Sequence, residues 1–197
     1  KNNIQSVGDL LGLVMRIPGL GGEVMAKLGV NVQSLPGGEI FLALERGAID
    51  AAEFVGPYDD EKLELNEAAQ YYYYPGWWEP GATLDATVNL DAWNNLPAEY
   101  QEVFKTATYE ANINMLAKYD ALNGAALQSL VDKGTQLIPY SDDILKAASE
   151  ASTALLEENA GKDATFKEVY ESWKTFRDTV QGWNRVNELS FSKFLEK

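Results

Sequence analysis

Cysteine and histidine are both absent from this chain. Their absence excludes thiol nucleophiles, Cys/His zinc sites and Ser-His-Asp triads. Any catalysis would have to rest on carboxylates, lysine or tyrosine, so a non-enzymatic protein is expected. Zero cysteine fits exported bacterial proteins, although many cytosolic proteins share it. Long hydrophobic runs are lacking too, and none approaches the roughly 20 apolar residues that span a bilayer. The start, KNNIQSVGDLLGL, has no charged head before an apolar core and reads as carrying no signal peptide. Basic residues are scarce: 16 Lys and Arg stand against 30 Asp and Glu, a net charge of -14. Phosphate binding needs a basic face, so nucleic acid is excluded as a partner. Residues 1–96 carry 5 basic and 14 acidic groups, with Arg16 and Arg46 their only arginines. An anionic ligand would draw its counter-charge from very few places.

What the chain does have is a concentration of rings. Residues 71–80 read YYYYPGWWEP, six aromatic side chains followed by a carboxylate. Tyr and Trp combine a large apolar body with a polar tip, which suits walls that hold a small polar ligand away from water. The four tyrosines favour an extended strand, and Pro75-Gly76 forces a turn that displays Trp77, Trp78 and Glu79. Core packing is the competing explanation for any single ring. With 197 residues, 46% hydrophobic, there is room for one large domain or two small ones.

The first ninety residues alternate strand-like and helical segments. Strands are expected at 13–17, 32–35, 49–55 and 71–74, with helices at 22–28, 37–46 and 58–65. Gly29 and Gly47 stop the first two helices as C-terminal caps. This alternation argues for a parallel α/β sheet. A further strand is expected at 83–90. From Ala98 to about Lys133 apolar residues recur at helical spacing without proline, predicting one helix far longer than the usual eleven or twelve residues. A short strand at 136–139 and helices near 142–159, 164–179 and 182–194 complete the chain.

Arg16 ends an otherwise apolar strand, where open α/β sheets bind ligands, and its planar fork matches a carboxylate in two parallel hydrogen bonds. The competing explanation is a structural ion pair. Glu53 lies near the end of the third strand among apolar neighbours, so it needs a cation, a proton or several donors. A partner arginine or a hard metal ion such as Na+ or Ca2+ would each answer that need, and Glu79 poses the same choice. Gly19-Leu20-Gly21-Gly22-Glu23 has neither the spacing of a dinucleotide loop nor the lysine of a P-loop, and reads as a glycine-rich strand-to-helix turn. Trp77 and Trp78 could also serve as stacking platforms of a carbohydrate-binding module. A glycosidase using Glu53 and Glu79 is the enzymatic alternative.

Three stretches carry a family resemblance: MRIPGLGGEVMAKLG (15–29), LPGGEIFLALERGAIDAAEFVGPYDD (35–60) and YYYYPGWWEPG (71–81). The chain resembles the DctP-type periplasmic solute-binding proteins of TRAP transporters, most closely the branch that takes 2-oxo acids and related small monocarboxylates. The resemblance implies an α/β, periplasmic-binding-protein-like fold of two lobes that close on one anion, with a long helix crossing both. It covers only the C-terminal portion of the family's length, implying that most of the N-terminal lobe is missing and that the chain could bind nothing by itself. Residues 1–54 would belong to the second lobe, 55–96 would return through the first lobe and hinge, and 97–197 would form the spanning helix and C-terminal helices. The family's motifs fall on Arg16, Phe54, Trp78 and Glu79 for the carboxylate, and on Glu53, Phe54 and Glu79 for a bridging Na+ or Ca2+. Phe54 departs from the branch, which commonly has Trp there. The implied partners are a small carboxylate, the membrane permease subunits and a second copy of the chain, and the implied location is the periplasm. No covalent cofactor is implied.

Overall fold

The apolar run 13–17 forms the central strand, and its alternation decides which side chains go where. In β1 (Val14–Arg16) Met15 is buried, as are Leu13 and Ile17 just outside it, while Val14 and Arg16 are half-buried on the opposite face. The computed structural model describes residues 3–79, 81 and 83–196. These fall into two compact units, 1–146 and 147–197.

In the first unit, β1 is flanked in parallel by β2 (Asn31–Gln33) and β3 (Ala51–Ala52), with Met15 opposite both Val32 and Ala51. Parallel neighbours need crossover connections, supplied by α1 (Gly19–Lys27) and by α2 (Ile40–Glu45), the latter preceded by a 3-10 turn at Gly37–Glu39. Leu13, Met15 and Ile17 join Ile4, Leu10 and Met25 in the larger core. Val14 packs instead on a smaller cluster of Ile40, Leu44 and Ile49. Arg16 shares the face of Val14 and emerges at the carboxyl end of the central strand.

The glycine-rich turn is the first turn of α1, which begins three residues earlier than its apolar pattern suggests. A Cβ at Gly22 would collide with the Ile17 carbonyl oxygen and lie 3.1 Å from Val32 Cγ1. The glycine is there for close helix–strand approach, not for phosphate. Gly29 closes the helix with φ +92°, a left-handed conformation that side chains resist.

After β3 the chain forms α3 (Pro57–Lys62) and α4 (Leu65–Ala68), then β4 (Tyr71–Tyr74). The tyrosine strand pairs in parallel with β5 (Gln136–Pro139) in a second sheet, Tyr72 opposite Leu137. The strand expected at 83–90 is not formed. Residues 83–89 have no regular structure, and α5 (Leu90–Asn95) starts where the strand should end, capped by the Asn89 side chain accepting from Ala92 N at 3.1 Å. Strand propensity is expressed only against a ladder partner, and none pairs with this segment among the described residues.

The long helix is present as expected. α6 (Ala98–Asp132) runs 35 residues, about 52 Å at 1.5 Å per residue. Its C-terminal half is anchored to α3: Tyr58 N donates to Asn123 Oδ1 at 3.1 Å, Tyr58 and Tyr119 meet edge to face, and Ser129 Oγ and Lys133 Nζ both donate to Glu61 Oε1. Its N-terminal half leaves Val103, Tyr109, Ile113 and Leu116 exposed.

α7 (Asp142–Lys162) brings Ile144 into the larger core. The second unit continues through α8 (Ala164–Val186), capped by Asp163 Oδ1 accepting from Phe166 N at 2.7 Å, and α9 (Glu188–Leu195). The break expected near Gly182 falls instead at Asn187. A glycine inside a helix costs only about 1 kcal/mol, too little to end one. Trp173, Phe176 and Trp183 on α8 are exposed.

Gly22→Ala is expected to destabilise the protein by about 2–3 kcal/mol, because the new methyl meets backbone that cannot turn aside. Urea denaturation checks this, with Gly38→Ala, which meets nothing within 4 Å, as the mild comparison.

Candidate functional site

The carboxyl ends of β1 and β3 bring Arg16 and Glu53 together. Arg16 Nη1 donates to Glu53 Oε1 at 2.6 Å and to the Glu53 carbonyl at 2.7 Å, while Nε donates to the Leu35 carbonyl at 3.1 Å. Both side chains are close to dry, 11% and 9% exposed. Backbone follows the same pairing: Glu53 N donates to the Arg16 carbonyl at 3.0 Å. Three of the guanidinium's contacts therefore fix its orientation, and its Nη2 has no hydrogen-bond partner among the described residues. An arginine held this firmly with one edge unused is prepared for an anion.

Beside this pair opens a cavity of about 680 Å3 between the two sheets of the first unit. Glu53, Phe54, Trp78 and Glu79 line it, as do Asp60 and Tyr72. Arg16 does not; it reaches the cavity through the carboxylate it holds. Phe54 turns its ring onto Gly37, where a Cβ would lie 2.8 Å from Phe54 Cε2, and onto the smaller core cluster. Trp78 packs against the larger core and meets Tyr140 edge to face, centroids 6.2 Å apart. Trp77 joins the same core, with its Nε1 buried and without a hydrogen-bond partner among the described residues. The two indoles stand 79° apart, so they share no flat face on which a sugar ring could stack. Glu79 is exposed at the rim.

Asp50, Glu53, Asp60 and Glu79 give this cavity four carboxylates, and no lysine or arginine lines it among the described residues. The charges act on one another. Burial pushes the Glu53 carboxyl up, the Arg16 guanidinium pulls it down, and Glu79 adds a further upward push. Asp60 is buried to 7% exposure and lifted from 3.8 to about 6, chiefly by burial, against a hydrogen bond from Tyr72. A hard cation fits this chemistry, since oxygen donors of excess negative charge surround the space. No group of three or more carboxylates converges on a metal position among the described residues. Glu53 and Glu79 would thus form a partial set, leaving room for backbone and ligand oxygens.

Asp60 and Tyr72 were not singled out from the sequence. Tyr72 OH donates to Asp60 Oδ2 at 2.6 Å, whereas its neighbour Tyr73 accepts from Ile4 N and donates to Asn3 Oδ1 on the other face of the strand. In sequence, Asp60 belongs to the acidic start PYDDEK of a short helix, a pattern that reads as a solvated first turn. Only the pairing of β4 with β5, which fixes the faces of the tyrosine run, reveals its partner.

The raised Asp60 carboxyl has a consequence for stability. Between 3.8 and about 6 the native state holds a proton that the unfolded chain has released. Stability from this group is full below that window and is lost as pH rises through it. Asp60→Asn, which still accepts from Tyr72, is expected to leave melting unchanged near pH 4 and to stabilise the protein by about 1–3 kcal/mol at pH 7.5. Thermal melts across that range check the divergence; parallel curves at all pH values would contradict it.

Comparison with known proteins identifies the family and the fold. The family model for bacterial extracellular solute-binding proteins, family 7 (DctP), matches residues 1–163. A monocarboxylate 2-oxoacid-binding periplasmic protein of a Nostoc species is 69% identical over 194 residues, 98% of this chain and 53% of the relative. A TRAP transporter solute-binding protein from Bordetella bronchiseptica, crystallised as a dimer with calcium and picolinate, is 45% identical with a TM-score of 0.96 over 99% of this chain and 58% of that one. One from Colwellia psychrerythraea, with calcium and pyruvate bound, is 37% identical with a TM-score of 0.93 over 98% and 59%. The chain therefore spans just over half the length of the relatives it matches. The α/β, periplasmic-binding-protein-like fold expected from the three motifs stands, and the chain belongs to the DctP family of TRAP-transporter solute-binding proteins.

Proposed function

We propose that this chain is the solute-binding component of a TRAP transporter, capturing a small carboxylate in the periplasm and delivering it to the membrane permease. The carrying observation is the Arg16 guanidinium at the carboxyl end of the central strand, oriented by Glu53 and Leu35 with Nη2 unused among the described residues. The ligand class is a 2-oxo acid such as pyruvate, or a related monocarboxylate. Support comes from the 2-oxo acid specificity of the Nostoc relative and from the pyruvate bound by the Colwellia protein. In this reading residues 1–54 are part of one lobe, 55–96 pass through the other lobe and hinge, and 97–197 supply the spanning helix and C-terminal helices.

Arg16 receives the ligand carboxylate, and Phe54, Trp78 and Glu79 bound the space around it. Glu53, Glu79 and the Phe54 backbone hold a bridging cation. Calcium accompanies the ligand in two relatives, and sodium accompanies pyruvate in a third from Pseudoalteromonas atlantica. The Arg16–Glu53 pair gives a physical reason for the cation. An anion arriving at Arg16 competes with Glu53 for the guanidinium, and a nearly dry carboxylate cannot lose its partner cheaply. A cation at Glu53 restores the balance, so each ion replaces what the other displaces. Pairing with a second copy would use the exposed rings of α8, in keeping with the dimer of the Bordetella protein.

Arg16→Ala is expected to weaken pyruvate binding at least about 30-fold, the lower end of what truncating a buried, hydrogen-bonded charge pair costs. Titration calorimetry with saturating Ca2+ is the measurement. Unchanged affinity in a variant that still melts cooperatively would refute the assignment.

A further inference from the structure

Asp60 poses a problem that the carboxylate site does not answer. Its side chain lines the cavity and is more than nine-tenths buried, yet Oδ1 has no hydrogen-bond partner among the described residues. A carboxylate offers about four acceptor positions, and here one side-chain donor, Tyr72 OH at 2.6 Å, reaches it among the described residues. The Gly56 backbone N–H also pulls the carboxylate toward ionisation, yet no backbone donor reaches Oδ1 within hydrogen-bond geometry among the described residues. No basic side chain lines the cavity among the described residues, and Arg16 is committed to Glu53. A buried, under-donated carboxylate in such a place needs positive charge, which only a proton or an incoming cation can supply.

The groups that face Asp60 have one sign. Glu53 at the end of β3 and Asp59 on its own helix both oppose ionisation, and Tyr72 from β4 and the Gly56 backbone N–H support it. α4 presents Leu65 and Asn66 to the cavity. The cations of α6 and its C-cap are engaged elsewhere: Lys105 pairs with Glu102, Lys118 lies over the Tyr58 ring and Lys133 pairs with Glu61. Asp60 shares no hydrogen bond with Glu53, Phe54 or Glu79, so it acts on them through the field of the cavity.

We propose that Asp60 is the proton-exchanging wall of this cavity: a hard cation entering beside Glu53 drives the Asp60 proton into solvent, coupling cation capture to proton release. The inference rests on the cation-assisted reading above. The exchange is balanced without any redox step. The carboxyl O–H bond breaks, its electron pair stays on Asp60, the proton passes to buffer, and the cation supplies the charge that the proton supplied before. Asp60 is a positioning residue in this scheme, tuning the site rather than ligating within it. One consequence is that acidification would loosen the cation, and with it the carboxylate that the cation helps to hold.

The test is titration calorimetry of Ca2+ at constant pyruvate, in two buffers of different protonation enthalpy, on the wild type and on Asp60→Asn and Tyr72→Phe. Near pH 6, where Asp60 is about half protonated, the wild type should release up to about half a proton per Ca2+, and Asp60→Asn close to none. Wild-type Ca2+ affinity should fall up to about tenfold from pH 7 to pH 5, while that of Asp60→Asn stays flat. Tyr72→Phe removes the donor that favours the ionised form, so its midpoint should move to higher pH. Equal proton release by Asp60→Asn and wild type, or an unmoved midpoint in Tyr72→Phe, would overturn the proposal while leaving the cation-assisted reading intact. Failure of the wild type to bind Ca2+ at any pH would overturn both. Cooperative melting of both variants confirms that the comparison is between folded proteins.

Discussion

The ion pair between Arg16 and Glu53 organises this molecule's chemistry. Two opposite charges sit almost out of water at the ends of adjacent parallel strands, joined by side chain and backbone alike. Such a pair is seldom a net source of stability, because desolvation offsets most of its attraction. What it supplies is commitment. Glu53 cannot give up its share of the guanidinium cheaply, and under the proposed function that constraint is what would make the arginine take an anion together with a cation.

The surrounding architecture serves the same end. A short parallel sheet places the pair at its carboxyl edge, where crossover helices leave a crevice. Gly22 lets α1 approach the sheet closely, and Gly37 gives the Phe54 ring a place to lie. The second sheet, β4 with β5, forms the facing wall and turns Tyr72 toward Asp60. The cavity is consequently acidic on several sides, and that field favours a hard cation over a bare anion.

Much of this was legible in the sequence, for identifiable reasons. β1 and α1 followed from apolar spacing, because each has one face whose burial the pattern records directly; α6 followed from apolar recurrence without proline, although only Ala126 and Leu130 of it are buried. Arg16 stood out as a lone charge at the end of an apolar strand; of the two explanations weighed for it, the ion pair is seen with Glu53, and the ligand fork belongs to the proposed function. The strand expected at 83–90 failed because its propensity has no ladder partner among the described residues. Asp60 was invisible since an acidic residue in a short helix looks solvated until the strand across from it is known. The tyrosine run was informative in density but ambiguous in detail. Its alternation sends Tyr72 and Tyr73 to different partners, a distinction that depends on which face of β4 meets the first sheet.

The division of labour between Arg16 and Glu53 is tested most directly by the calcium dependence of pyruvate affinity in Glu53→Gln. Glutamine keeps the shape and can still accept from Arg16, but it removes the charge that calls for a cation. Pyruvate affinity in this variant should become insensitive to Ca2+ while remaining measurable through Arg16. A variant that keeps the wild-type response to Ca2+ would show that the cation is held elsewhere and that the pair is structural.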